Sequence, residues 1–386
     1  MDDKIEEILA QYPVQIESRK RIRGAILLET REGQYLLREY NGSASRLERE
    51  ERIKESLMSH GYRKVDKALA NKQGELLTRD GSGNIWLMKR WFAGRECDLK
   101  DAKQVCRAMS HLAMLHLWMS EQHEVDIRTQ QTENAEGLAP SGRETIFDSG
   151  ELAPSGREAI FDSGELAPSG RETDLGSEEL QAAEVTAFTP IDFFGRRNRE
   201  LKRVHTYIRK KRRKNEMELA LLDAFAHYYE QGCEAEQLET AEHNYEYLQR
   251  EAAEQGKLMH GSYNYHNIIF QGREVVTSNF ENAKVGIQIM DLYGFLRKTM
   301  EKNGWKQDLG RRMIASYEEK RPLSEEERHL LYTLLLYPEK YWKQCNFYYN
   351  GKKSWMSSKS YEKLLRIRGQ EEGRIQFLEM IKDVLF

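Results

Sequence analysis

The residues best placed to do chemistry lie in HGSYNYHNIIF (260–270), where His260-Gly261 is followed by five residues, Asn267 and then an apolar run. The turn QGRE (271–274) and the strand-like VVTSNF (275–280) come next, with Glu281 just beyond. A loop feeding a hairpin brings Ser262, Asn267 and Asn279 into play as a hydroxyl and two amides. Ser262 is neutral at pH 7 and cannot take up a proton as a carboxylate would. Amide oxygens are poor replacements for anionic ligands of a hard divalent cation. Glu281 is a carboxylate on the same face as Asn279, since residues i and i+2 of a strand share a face. His266 has no second ligand at helical spacing and is expected to be exposed. Cys97, Cys106, Cys233 and Cys345 are scattered without a CxxC or CxxH spacing, which points to reduced, packed thiols rather than a zinc site or disulfides. An ordinary polar loop could carry the same letters as 260–270, so the surroundings must decide.

Those surroundings have a definite order. VQIESRK (14–20), GAILLET (24–30) and QYLLREY (34–40) are short strand candidates with a turn at Arg31-Glu32-Gly33. A helix is expected from Ser45 to Ser59, with Ser45 and Glu48 as its capping box and Gly61 just past its end. GELLTRD (74–80) and NIWLMKRWF (84–92) then suggest a hairpin across Gly81-Ser82-Gly83. Beyond Gly94 the pattern turns helical. Val105, Met109, Leu112, Ala113 and Leu115 repeat near 3.6 residues within 101–119. The spans 191–212, 216–231 and 234–254 also read as helices, as does everything from Asp291 onward, and the β segment 267–280 interrupts them. The expectation is an α+β chain: a small β-rich lobe over 1–92, then a large helical lobe over 93–386.

The helical part is interrupted by LAPSGRE, present at 138–144, 152–158 and 166–172. A tandem repeat of 14 residues is too short to stack as a solenoid, so about 130–180 is expected to be a disordered insert. With 60 basic and 63 acidic side chains the chain is no polycation, and its affinity for polyanions must be local. Arg196 to Lys214 supplies such a locality, with eleven Lys or Arg in nineteen residues and Leu201, Val204, Tyr207 and Ile208 on one stripe. It reads either as a solvated helix whose charges meet acidic flanks such as Glu216 and Glu218, or as a surface for an anionic partner. No nucleic-acid motif accompanies it, so nucleic acid is not expected. MDDKIEEILA lacks the features of a signal peptide, and the longest apolar run, 330–337, is far short of a membrane span.

The loop and hairpin at 260–280 resemble the catalytic loop and metal-binding hairpin of the aminoglycoside phosphotransferase and choline kinase branch of the protein-kinase-like fold. MDLYGFLRKTMEKNGW (290–305) and YPEKYWKQCNFYYNGKKSW (337–355) are similar to signature segments of CotS-type spore coat proteins, which share that fold. WLMKRWFAGRECDLKD (86–101) is similar to the family's interlobe hinge. The resemblance implies a bilobal kinase-like fold with ATP and Mg2+ as the possible cofactors. It implies that Asn267 falls on the magnesium-binding Asn, Ser262 on the catalytic Asp and Asn279 on the second metal-binding Asp. Trp91 and Phe92 fall at the nucleotide-side hinge, and Asp291 and His260 in structural roles that brace the loop. Arg38 falls where a strand Lys holds the phosphates and pairs with a helix Glu, for which Glu48, Glu51 and Glu55 are the candidates. The bland alternative makes Arg38 an exposed residue on an edge strand.

Two functions follow from the resemblance. One is a spore coat component that keeps the kinase fold without its chemistry. The other is an active ATP-dependent phosphotransferase acting on a small molecule or a coat polymer. On either, the resemblance implies synthesis in the mother cell, assembly on the spore coat, and other coat proteins or anionic coat components as partners, the latter through 196–214.

Overall fold

The computed structural model describes residues 2–22, 24–120, 191–350 and 358–386. The repeat insert expected at 130–180 lies outside the described residues, as do positions 351–355 of the second signature segment.

A short helix that sequence patterning did not announce, α1 (Asp2–Leu9), opens the chain. Its Ile5, Ile8 and Leu9 pack with Tyr12 onto Ile26, Leu28, Leu37 and Met88 of the sheet. That antiparallel sheet is built from β1 (Ile16–Ile22), β2 (Ala25–Thr30), β3 (Gly33–Glu39), β4 (Leu77–Arg79) and β5 (Ile85–Trp91), in the order β1-β2-β3-β5-β4. Alternation explains the choice of face: in β2 the buried Ile26 and Leu28 alternate with less buried neighbours. β3 lies between β2 and β5, so Arg38 is on a central strand and not on an edge.

Helix α2 (Ala44–Ser59) crosses one side of this sheet. Its cap is Ser43, whose hydroxyl accepts the Arg46 N–H at 3.2 Å, and not Ser45. The third helical residue is Arg46, so the expected capping box with Glu48 does not form. The chain leaves the sheet through Trp91 and Phe92, makes the short β6 (Arg95–Glu96), and enters α3 (Ala102–Ser120).

The rest of the described chain is mostly helical: α4 (Ile191–Lys210), α5 (Glu216–Glu242), α6 (Asn244–Gln255), α7 (Ile289–Lys302), α8 (Gln307–Glu318), α9 (Glu325–Leu336), α10 (Glu339–Asn350), α11 (Ser358–Gly369) and α12 (Glu371–Leu385). Capping boxes start two of them, Asn215 with Glu218 for α5 and Ser324 with Glu327 for α9. α5 runs straight through the break expected at 232–233. Gly232 is there for close packing, because a Cβ would stand 2.4 Å from Asn198 Oδ1, and Asn198 Nδ2 donates to the Gly232 carbonyl at 2.8 Å. The turn falls instead at His243, in the left-handed region at φ 54°.

Between α6 and α7 sit four short strands: β7 (Leu258–Met259), β8 (Ile268–Gln271), β9 (Glu274–Thr277) and β10 (Lys284–Val285). β8 and β9 pair from Ile268↔Thr277 to Gln271↔Glu274, which leaves a two-residue turn with Gly272 at φ 59°. β6 pairs with β8, and β7 with β10. Together these strands hold 260–267 and 278–282 side by side under the sheet and α2.

Candidate functional site

The loop is fixed from behind by one carboxylate. Asp291, 1% exposed at the start of α7, accepts the His260 N–H at 2.7 Å and the Gly261 N–H at 2.9 Å. His116 on α3 closes on the same carboxylate at 3.3 Å and bonds the Tyr317 hydroxyl at 2.7 Å with its other nitrogen. His260 is fully buried: one ring nitrogen reaches the Ser278 carbonyl at 3.2 Å, the other accepts the Ser262 N–H, and the ring meets Phe280 edge-on at 4.8 Å. Burial pushes both His116 and His260 below the ordinary imidazole range, so both are neutral near pH 7. Gly261 is required twice over, by φ 71° and by the Asn282 carbonyl, which stands 2.4 Å from where a Cβ would be.

In front of this brace the amides and the serine converge. Asn264 Nδ2 and Asn267 Nδ2 both donate to the Ser262 carbonyl, at 2.9 and 2.8 Å. Asn282 Nδ2 donates to the Ser262 hydroxyl at 2.6 Å. Asn279 sits in the left-handed region at φ 67°, a conformation Asn tolerates better than most residues. Its N–H donates to Asp66 at 2.9 Å, while its side-chain Oδ1 is buried without a hydrogen-bond partner. The fold therefore brings Ser262, Asn267 and Asn279 to one place. His266, expected to be exposed, is half-buried and bonded to Glu96 at 2.7 Å.

Arg38 does not meet a helix glutamate. Its Nη2 donates to Glu281 Oε2 at 2.6 Å, tying β3 to the turn after β9. Burial alone would raise the Glu281 carboxyl, but the Arg38 guanidinium outweighs it and holds the group below the usual carboxylate range. Arg46 of α2 strengthens the same tie, donating to the Glu281 carbonyl at 3.0 Å and to Asn282 Oδ1 at 2.5 Å. Among the proposed helix partners, Glu48 is exposed, Glu51 serves Lys54 and the Ala68 N–H, and Glu55 pairs with Lys67.

Glu50, which sequence reasoning passed over, is buried beside Glu51 on α2, and it pairs with Lys54 at 2.7 Å and with Lys89 of β5 at 2.5 Å. Asp66 completes this cluster, 3.3 Å from Lys54 and 3.8 Å from Lys89. Burial would raise Asp66, yet the two ammonium groups leave it ionised and lowered. No motif surrounds Asp66 in the sequence, so only the three-dimensional contact with Asn279 reveals it.

Trp91 is the last residue of β5, and Phe92 packs on Ile269 and Val276 of the β8–β9 hairpin. The donor set facing the cleft is thus one hydroxyl, two amides and Glu281. Among the described residues no group of three His, Cys, Asp or Glu side chains converges to hold a metal ion. Asn279 Oδ1 is buried without a hydrogen-bond partner, but it is neutral; Glu281, two residues on, is ion-paired to Arg38, and Asp66, which accepts the Asn279 N–H, is ion-paired to Lys54 and Lys89. This set does not fit a magnesium ion, which is held through carboxylates and phosphates. What the arrangement provides is a hydrogen-bonded cluster of Ser262, Asn264, Asn267 and Asn282 to which Arg38 and Arg46 tie the sheet and α2.

Residues 191–381 match the family described as "Spore coat putative kinase YutH". No curated protein matches the chain. An aminoglycoside phosphotransferase from Alicyclobacillus acidocaldarius is similar in structure, with a TM-score of 0.75 at 13% identity over 98% of this chain and 96% of that one. Amicoumacin kinase hAmiN, in complex with AMP-PNP, Ca2+ and Ami, gives 0.52 at 12% over 97% and 93%. Spectinomycin phosphotransferase APH(9)-Ia, in complex with ADP and spectinomycin, gives 0.50 at 10% over 96% and 98%. At such identities the likeness carries the fold alone, and that fold is the expected one: an antiparallel N-terminal sheet followed by a largely helical region. Residues 191–381 thus carry the likeness to the spore coat YutH kinase family, and the chain as a whole has the aminoglycoside-phosphotransferase-like fold.

Proposed function

We propose that the chain is a spore coat component that keeps the phosphotransferase fold without phosphoryl transfer and serves the coat as a structural or binding piece. It is made in the mother cell and assembled on the coat beside other coat proteins. One observation supports the reading above all: Glu281, the carboxylate two residues beyond Asn279, is ion-paired to Arg38 at 2.6 Å. Phosphoryl transfer rests on positioning and on the electrostatic work of metal, cation and base. Here Ser262 stands where a base would be needed, and the cation that would hold phosphate is already neutralised. ATP affinity on this reading is weak and little changed by magnesium.

The test is magnesium-dependent turnover of labelled ATP by the purified wild-type chain, with Asn267→Ala as control. Background turnover in both is expected. Robust turnover that Asn267→Ala abolishes would overturn the reading and make Glu281 the first suspect for the missing carboxylate.

A further inference from the structure

The basic segment splits into two groups of side chains once it is folded. Leu201, Val204 and Ile208 of α4 are at most 3% exposed and pack on Met217, Leu221, Tyr341 and Leu364 of α5, α10 and α11. Some of the cations are spent inside the protein. Arg197 is buried between Phe193 and Trp342, 3.7 and 4.0 Å from the two rings, and Lys211 pairs with Glu218. On the opposite side Lys202, Arg203, Arg209 and Lys210 are exposed at helical spacing, and Arg212 and Arg213 continue the row beyond the helix end. From 202 to 213 this row is roughly 16 Å long. Glu200, the acidic residue closest to it in sequence, is engaged by Trp342 Nε1 at 2.8 Å.

The buried stripe decides what such a face can take. A helix that inserts into lipid needs its apolar side free, and here that side belongs to the core. Single-stranded nucleic acid needs rings to stack on, whereas His205 is stacked on Phe225 and Tyr207 is half-buried. A polycarboxylate needs neither. The chain carries one: residues 121–190 hold sixteen Asp or Glu against four Arg and no Lys, while the whole chain has a formal charge of only −3.

We propose that the exposed basic row of α4 is the docking surface for the chain's own acidic stretch 121–190. The stretch ends at Pro190, immediately before α4. The far end of the row lies about 33 Å from residue 191 along the helix direction, which roughly 10 extended residues span. Glu178, Glu179 and Glu184 are therefore within reach. Tethering sets an effective concentration on the order of millimolar, so the chain's own carboxylates outcompete those of a separate acidic polypeptide.

Zero-length carbodiimide crosslinking of the full chain, read by mass spectrometry, tests this. At about 1 μM protein and low salt, Lys202 and Lys210 should join to carboxylates of 121–190 within one molecule. The yield should be unchanged by tenfold dilution and fall at least fivefold in 0.5 M NaCl. The variant Arg203→Gln/Arg209→Gln/Arg212→Gln/Arg213→Gln keeps both amines and should also lose most of the crosslinks. Excess poly-glutamate added to the wild type should displace them without any substitution. Absence of these crosslinks, a yield indifferent to salt, to the substitutions and to poly-glutamate, or crosslinks formed only between two copies would each overturn the proposal.

Discussion

Replacing Glu281 with Gln separates two roles for this carboxylate by the sign of one effect. The pair it forms with Arg38 is short, 2.6 Å, and its side chains are 27% and 25% exposed. With charge centres about 4 Å apart, the Coulomb attraction is about 4 kcal/mol at an effective dielectric of 20 and about 1 kcal/mol in water. Partial exposure puts the net value toward the lower figure, about 1–2 kcal/mol after screening. A phosphate group that needs Arg38 must first displace Glu281 at that cost. Glu281→Gln removes the competitor while preserving shape, and Arg46 still bonds the backbone carbonyl of residue 281 and Asn282. ADP measured by calorimetry in the presence of EDTA should therefore bind the variant roughly 5- to 30-fold more tightly than wild type. The same titration with magnesium should give nearly the same ratio. If the variant binds no more tightly without metal, or loses a magnesium-dependent affinity that wild type has, Glu281 is a metal ligand and the neutralised-cleft argument is wrong.

Ser262→Asp combined with Asn279→Asp puts anionic groups at the two neutral positions, and should make nucleotide binding depend on magnesium more than in wild type; a titration of both with and without the metal checks it. Burial pushes the Glu239 carboxyl up to about 7, with Glu242 and Glu246 nearby adding to the effect. The folded state then holds that proton more tightly than the unfolded chain does, so this contribution to stability is complete below about pH 4.5 and is lost as pH rises through about 7, a change of about 3 kcal/mol at most. Urea unfolding across pH 4.5–8 should show that slope, and Glu239→Gln should flatten it while keeping the bond from the Tyr245 N–H, 2.9 Å in the wild type. Gly232→Ala should destabilise by about 1–3 kcal/mol in spite of alanine's better helix propensity, because its methyl would overlap Asn198; a midpoint equal to or above wild type would refute that packing.

Strands and the hairpin were legible because their signals are local. The alternation in AILLET, the two-residue turn at Gly272-Arg273 and the passage from sheet to helix after Gly94 all lie within a dozen residues of themselves. The types of Arg38 and Glu281 were legible too, but not their partnership, which spans 243 positions. Glu50 and Glu51 differ from Glu48 and Glu55 only in which way they face from α2, and a helix this rich in charge gives no clear apolar stripe to read that from. Asp66 was invisible for a similar reason: its neighbours Lys64 and Lys67 suggest solvent, and its buried role is created by α2, β5 and Asn279 closing around it. Gly232 shows the opposite error, where a local breaker signal was overruled by a long-range contact with Asn198.

The buried cluster under α2 also bears on what the molecule can become. Kinase-like folds are commonly switched by letting this helix swing, so that its glutamate meets or leaves the cation on the strand. Here Glu50, Glu51, Lys54, Asp66 and Lys89 are all at most 6% exposed and hold one another between helix and sheet. Swinging α2 outward would strand ions inside the protein, at several kcal/mol for each uncompensated charge. The buried ion pairs therefore oppose an outward swing of α2. On the function proposed above, a helix held in this way suits a unit that must keep one shape while a layer is built from many copies of it.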